Sequence, residues 1–159
     1  VFFITALLHR QHREGDLLVR VLATGTFDIL HPGHVLYLSR ARELGDELYV
    51  IVARSSMVRH KPKPVIPDEQ RLKMVSALKV VDWAVLGSES DMFEPIRDIR
   101  PDIIALGYDQ TFDTESLERE LLERNIDARV VRISDSKTCA LCSTGKIIKK
   151  VMERYGDAP

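Results

Sequence analysis

From residue 18 to the C-terminus, short β-branched runs alternate with longer stretches in which apolar residues return every three or four positions. Five runs predict strands: LVRVLAT (18–24), ELYVIVA (47–53), DWAVLG (82–87), DIIALG (102–107) and ARVVRI (128–133). They are nearly continuously apolar, which suits a parallel sheet covered on both faces. Between them the period predicts helices over 33–44, 67–79, 92–99, 114–124 and 143–154. Pro32 and Pro67 stand where a first helical residue belongs, Glu69 and Gln70 follow in the first turn of the second helix, and Val35, Leu38 and 42–44 keep the helical spacing. The expectation is an α/β chain with a five-stranded parallel sheet and helices on both faces. The segment RHKPKPVIP (59–67), with three prolines, predicts an irregular loop. No internal repeat or dividing linker stands out, so 18–159 reads as one domain and 1–17 as an extension without an assigned role. Trp83 suits either the core or an interface, and the core is the expectation.

At 159 residues, 45% hydrophobic and 30% charged, the chain is long enough to bury a core without metal or disulfide staples. Its 23 basic and 24 acidic side chains nearly cancel, so the overall field gives no reason to expect a nucleic-acid partner, and any anion site must be local. The opening VFFITALL is apolar for eight residues only and runs into HRQHRE. That is too short to span a bilayer and wrongly flanked for a signal peptide, so no membrane association is expected. Cys139 and Cys142 read as free thiols in a reducing compartment, and the location expected is the cytoplasm.

In an open α/β sheet, ligands bind beyond the carboxyl ends of the strands at the topological switch point, which singles out the loops after strands one, four and five. After strand one come Gly25, Thr26, Phe27, Asp28, Ile29, Leu30, His31, Pro32, Gly33 and His34. Gly25 lets a phosphate approach the backbone, and Pro32 and Gly33 open a helix whose free N–H groups favour an anion. His31 and His34, three apart across the first turn, can turn both rings to one side and donate to one phosphate. A lone histidine at a helix start is more often a cap or a surface group. Two of them with the proline and glycine after a strand favour phosphate chemistry.

This HPGH run resembles the H-x-G-H signature of the cytidylyltransferase-like nucleotidyltransferases, and the likeness extends over nearly the whole chain. The resemblance implies a Rossmann-like sheet and a triphosphate held by Gly25, Thr26, Phe27, His31, Pro32, Gly33 and His34. It also implies attack by a substrate phosphate on the α-phosphorus, with pyrophosphate leaving. Gly107, Tyr108, Asp109 and Gln110 resemble the family's glycine-rich strand end, which implies that Gly107 and Asp109 contact the nucleoside; by position alone Asp109 suits a turn or helix cap equally well. Ser143 and Thr144 resemble the element that caps the family's last helix and touches triphosphate oxygens, and capping and contact are compatible. Cys142 departs from the pattern by standing where the family often has isoleucine, and the arginine common upstream of that element is not plainly present. Lys61 and Lys63 resemble the family's flexible phosphate-reaching lysine; a solvated basic loop is the plain alternative for at least one of them. Arg71 resembles a family arginine, and a surface ion pair with Asp68 accounts for it equally.

A phosphate acceptor is already an anionic nucleophile, so positioning and charge stabilisation suffice. On this reading His31 and His34 stabilise charge growing on the α-phosphate, while Lys61 or Lys63 and a divalent cation, Mg2+, hold the β- and γ-phosphates. No protein ligand for a metal is assigned. The HPGH and GYDQ runs, the short length and the cysteine pair together resemble the family members that adenylylate FMN. ATP and FMN are then the expected substrates and a homodimer the expected assembly. Glycerol 3-phosphate and phosphopantetheine are the competing acceptors and CTP the competing nucleotide. Readings of a different class are a non-catalytic nucleotide-binding module, a structural zinc site built from the H-x-x-H and C-x-x-C pairs, whose spacing and order argue against it, and a thioredoxin-like site, for which the cysteines come too late in the chain. Near a helix N-terminus, Cys139 and Cys142 are also candidates for redox-sensitive thiols.

Overall fold

A computed structural model describes residues 18–59, 61–136 and 139–156; the expected extension 1–17 lies outside them. Strands β1 (Arg20–Gly25), β2 (Glu47–Val52), β3 (Trp83–Leu86), β4 (Ile103–Leu106) and β5 (Arg129–Arg132) form one sheet in the order β3-β2-β1-β4-β5. Every neighbouring pair is parallel, with Val21 opposite Leu48 on one side and Ile103 on the other. Helices α1 (Pro32–Arg42), α2 (Asp68–Ser76), α3 (Glu94–Ile99) and α4 (Thr114–Glu123) occupy the four connections, α5 (Thr144–Tyr155) follows β5, and a short 3-10 turn covers Ser55–Met57.

Alternation along each strand divides the core in two. Leu22, Ile51, Ile104, Leu106 and Val130 face one side and bury Ile96 and Ile99 of α3 with Leu117 and Leu121 of α4. Val21, Ala23, Val50, Val52 and Ala105 face the other and bury Leu38 and Ala41 of α1 with Val75 of α2. Both faces are therefore covered, as the strand composition predicts. Trp83 is half-buried against the first cluster and stacks on Tyr49, with ring centres 6.4 Å apart. Helix α5 is amphipathic, yet none of its residues is buried, and Val151, Met152 and Tyr155 are exposed.

Several boundaries shift for local reasons. Pro67 is the N-cap of α2 and not its first helical residue. Helix α3 ends at Ile99 because Arg100 adopts a left-handed backbone (φ 51°) ahead of Pro101, whose ring disfavours a helical conformation at the residue before it. Among the described residues no helix is long and apolar enough to cross a membrane.

The strand order reverses between β1 and β4, so the crevice of the sheet opens where Gly25 ends β1 and Gly107 follows β4. The opening is held by side chains. Tyr37 of α1 donates its phenol to the Ala105 carbonyl at 2.8 Å and accepts from the Thr24 N–H at 3.3 Å. Burial pushes this phenol's pKa upward, which keeps it a donor. Gln110 spans the same gap, accepting from the Gly107 N–H at 2.8 Å and donating to the Thr24 carbonyl at 2.9 Å.

Candidate active site

Helix α1 starts at the mouth of this crevice. His31 is its N-cap in extended conformation and makes no side-chain cap, so its ring stays available. Pro32 brings no N–H that could go unpaired, and the His34 N–H bonds back to the His31 carbonyl at 2.9 Å. One turn apart, the two imidazoles stack with ring centres 3.7 Å apart and planes 20° from parallel. Their Nδ1 atoms are buried and find no hydrogen-bond partner among the described residues. An unpartnered buried polar atom is uncommon enough to call for a ligand, a water or a functional role.

Electrostatics keep this pair neutral at neutral pH. Burial lowers the pKa of His34 to about 4, assisted by the neighbouring His31 and by the Lys61 ammonium and opposed by the Asp28 carboxylate. Burial also lowers His31, against the Asp109 carboxylate, which acts upward. Lys61 is exposed on the loop after β2 and its charge is felt at His34, and Asp109 is exposed after β4 and its charge is felt at His31. Lys63 is exposed two residues further along the loop.

Phe27 supports the stack from beneath. It is 2% exposed and has a left-handed backbone (φ 50°), unusual for an aromatic residue and costing on the order of 1–3 kcal/mol. That conformation folds the ring back over Gly25, where a Cβ would lie 2.7 Å from Phe27 Cζ. The same ring meets His34 edge-on at 5.3 Å and Tyr37 at 6.5 Å. Gly25 thus serves first as space for Phe27; the sequence reading assigned that space to a phosphate.

Gly33 is equally confined: a Cβ would stand 3.0 Å from His31 Nδ1 and 3.2 Å from the Cys142 carbonyl oxygen. The start of α5 therefore lies against the start of α1. Ser143 caps α5 by accepting from the Lys146 N–H at 3.3 Å, and Thr144 Oγ1 donates to the Ile29 carbonyl at 3.5 Å. Capping by Ser143 agrees with the structural half of its expected role. Cys139 and Cys142 are joined in a disulfide, with Cα atoms 5.3 Å apart, where free thiols were expected. The three-residue spacing permits either state. With both sulfurs bonded to each other, the zinc arrangement loses its thiolates, and among the described residues no group of three His, Cys, Asp or Glu is placed to hold a metal ion.

On the far side, Gly107 follows β4 with the Asp109 carboxylate 3.3 Å from where its Cβ would be. Arg132 at the end of β5 braces this loop, donating to the carbonyls of Gly107 at 3.0 Å, Gln110 at 2.7 Å and Phe112. Arg71 is the largest departure from expectation. The surface ion pair with Asp68 exists at 2.6 Å, but the guanidinium is fully buried, and its Nη1 donates to the Thr26 carbonyl at 2.5 Å. Burial pushes the Asp68 carboxyl up; hydrogen bonds from Ser55, then Arg71, outweigh it and hold the group below its ordinary value. Sequence reasoning gave no role to Tyr37, Gln110 or Arg132. The position of Gln110 in GYDQ was the only available signal among them.

The profile of the family described as cytidylyltransferase-like matches residues 22–150. The FAD synthase of Methanosarcina mazei is 72% identical over 89% of this chain and 94% of its own length, and that of Methanosarcina acetivorans 69% identical over 91% and 95%. Among solved structures, the lipopolysaccharide core biosynthesis protein from Thermoplasma volcanium superposes with a TM-score of 0.73 at 47% identity, covering 76% of this chain and 99% of that one.

Proposed function

This chain belongs to the cytidylyltransferase-like family and is a nucleotidyltransferase, and from that premise we propose that it transfers the AMP moiety of ATP to the phosphate of FMN, giving FAD and pyrophosphate. The observation that carries the chemistry is the stacked His31–His34 pair at the start of α1, beside the switch point of the sheet. The identity of the product rests on the near full-length likeness to FAD synthases.

An oxygen of the FMN phosphate attacks the α-phosphorus of ATP, and one P–O bond forms. The bond from that phosphorus to the oxygen bridging to the β-phosphate breaks, and pyrophosphate departs with the electron pair. The nucleophile is already anionic, so no general base is required. His31 and His34 are held neutral by burial and present N–H donors where charge accumulates on the α-phosphate oxygens. Their rigidity is supplied by Phe27 and Gly25 below and by the Cys142 backbone beside Gly33.

Lys61, whose charge already reaches His34, holds the departing phosphates, with Lys63 as the second cation of that loop. The α1 N-terminus (Pro32, Gly33), Thr26, Ser143 and Thr144 surround the triphosphate, and Gly107 and Asp109 receive the ribose. No side chain is assigned as a metal ligand; Mg2+ brought in with the nucleotide would supply neutralisation of charge on the β- and γ-phosphates. A homodimer belongs to the same proposal, supported by Val151, Met152 and Tyr155 of α5, which no described residue buries, and tested by light scattering on the eluting protein. So does a cytoplasmic location, where ATP and FMN are both at hand.

The reading is tested by supplying ATP or CTP with FMN, glycerol 3-phosphate or phosphopantetheine in turn and following pyrophosphate. Release with ATP and FMN supports it. Release with another acceptor alone keeps the mechanism and overturns the substrate, and binding of ATP without release under any pairing favours a nucleotide-binding module.

A further inference from the structure

The lysine loop is anchored at its far end from two directions. The Ile66 N–H donates to Asp28 Oδ1 at 2.8 Å, and the Ile66 carbonyl accepts from Arg71 Nε at 2.9 Å. Asp28 lies in the loop that runs from Phe27 to His31, so one residue of the lysine loop is fastened directly to the histidine loop. Arg71 extends the connection. Its Nη1 donates to the carbonyls of Thr26 and Ala53, the latter at 2.8 Å, and its Nη2 to Ser55 Oγ at 3.2 Å and to Asp68. A single buried guanidinium thus joins the loop after β1, the end of β2 and the last turn before α2. Only a planar fork of donors reaches all of these; a lysine offers one ammonium.

Between Lys61 and Ile66 the chain reads Pro62, Lys63, Pro64, Val65. Each proline fixes its own φ and restricts the residue before it, so this short segment is stiff. A stiff segment held at one end carries its other end to a defined place. The geometry points to Asp28 and Arg71 as positioning residues of the transfer reaction: by clamping Ile66 they set where Lys61 stands relative to His34. This inference rests on the reading of Lys61 as a phosphate-holding group.

A double-mutant cycle between Asp28→Ala and Lys61→Ala tests it, read as kcat and KM for ATP with FMN saturating and the thermal midpoint of each variant recorded. Lys61→Ala is expected to raise KM for ATP or lower kcat on the order of tenfold. Asp28→Ala is expected to cost a similar factor when Lys61 is present and little more once Lys61 is gone, because both changes remove the same contact. Asp28→Asn, whose amide oxygen still accepts from Ile66, retains most of the activity. Should Asp28→Ala fail to fold, Ile66→Pro removes the same hydrogen bond while leaving both charged residues in place. Equal losses from Asp28→Ala with and without Lys61, or an Asp28→Asn loss as large as that of alanine, overturn the clamp. A Lys61→Ala enzyme with native constants overturns the lysine reading and the clamp with it, while FAD formation itself stands.

Discussion

The imidazoles of His31 and His34 lie face to face, 3.7 Å between ring centres, and each leaves a buried Nδ1 without a partner among the described residues. In the proposed mechanism, two neutral rings packed this way serve as a preorganised pair of donors that needs no rearrangement when charge builds on a phosphate. Removing one should cost rate more than ground-state affinity. His34→Ala is expected to lower kcat by about a hundredfold or more with KM for ATP changed far less. Steady-state pyrophosphate release checks this, and a native kcat would take His34 out of the mechanism.

The depressed pKa of His34 has a consequence for stability. The folded value is about 4 against 6.5 for the free group, so the unfolded chain binds more protons between those limits. The stabilising contribution of the neutral ring is complete above pH 6.5 and is lost as pH falls towards 4. His31 shifts in the same direction. Thermal midpoints measured from pH 4 to pH 8 should be level at the upper end and decline below about pH 6.5. His34→Gln should flatten that decline relative to the native chain.

Gly25→Ala tests the support beneath the histidines. The new methyl would lie 2.7 Å from Phe27 Cζ, so the Phe27 ring must move, and it already meets His34 on its edge. The expected result is a loss of stability of about 1–3 kcal/mol and a fall in kcat on the order of tenfold. Denaturant unfolding and turnover, measured on the same preparation, check both. Loss of stability with kcat intact would show that the ring's placement does not govern His34.

The disulfide gives the cysteines a testable part. The Cys142 carbonyl borders Gly33, and the next residue caps α5, so opening the Cys139–Cys142 bond should alter the wall beside Gly33, where the proposed mechanism puts the triphosphate. Activity should respond to dithiothreitol in the native chain and be indifferent to it in the Cys139→Ser, Cys142→Ser double variant. An alkylated, reduced enzyme with unaltered kinetics would exclude a redox role.

The sheet was legible because each strand is a short β-branched run bounded by polar punctuation, and both faces are buried. HPGH was legible as a helix start, because a proline soon after a strand suits a first helical position, and Pro32 does open α1. Arg71 was half legible: its spacing from Asp68 gave the ion pair, but its burial depends on carbonyls at positions 26, 53 and 66, which come together only through the β1–β2 register and the return of the loop. The left-handed backbone of Phe27 was hidden for a related reason, since propensity argues against it and only packing over Gly25 and against His34 compensates. Tyr37 and Gln110 bridge strands 1 and 4, which no local pattern announces as neighbours.

AMP transfer is tested most directly by following the label of the nucleotide. The purified chain would be incubated with magnesium, FMN and ATP carrying 32P at either the α or the γ position, and the flavin product isolated and weighed by mass spectrometry. AMP transfer puts the α-label in a flavin heavier by one adenylyl residue (AMP less a water), with the released γ-label in pyrophosphate. Label passing from the γ position into the flavin, or a flavin recovered unchanged while ATP is bound, would contradict it.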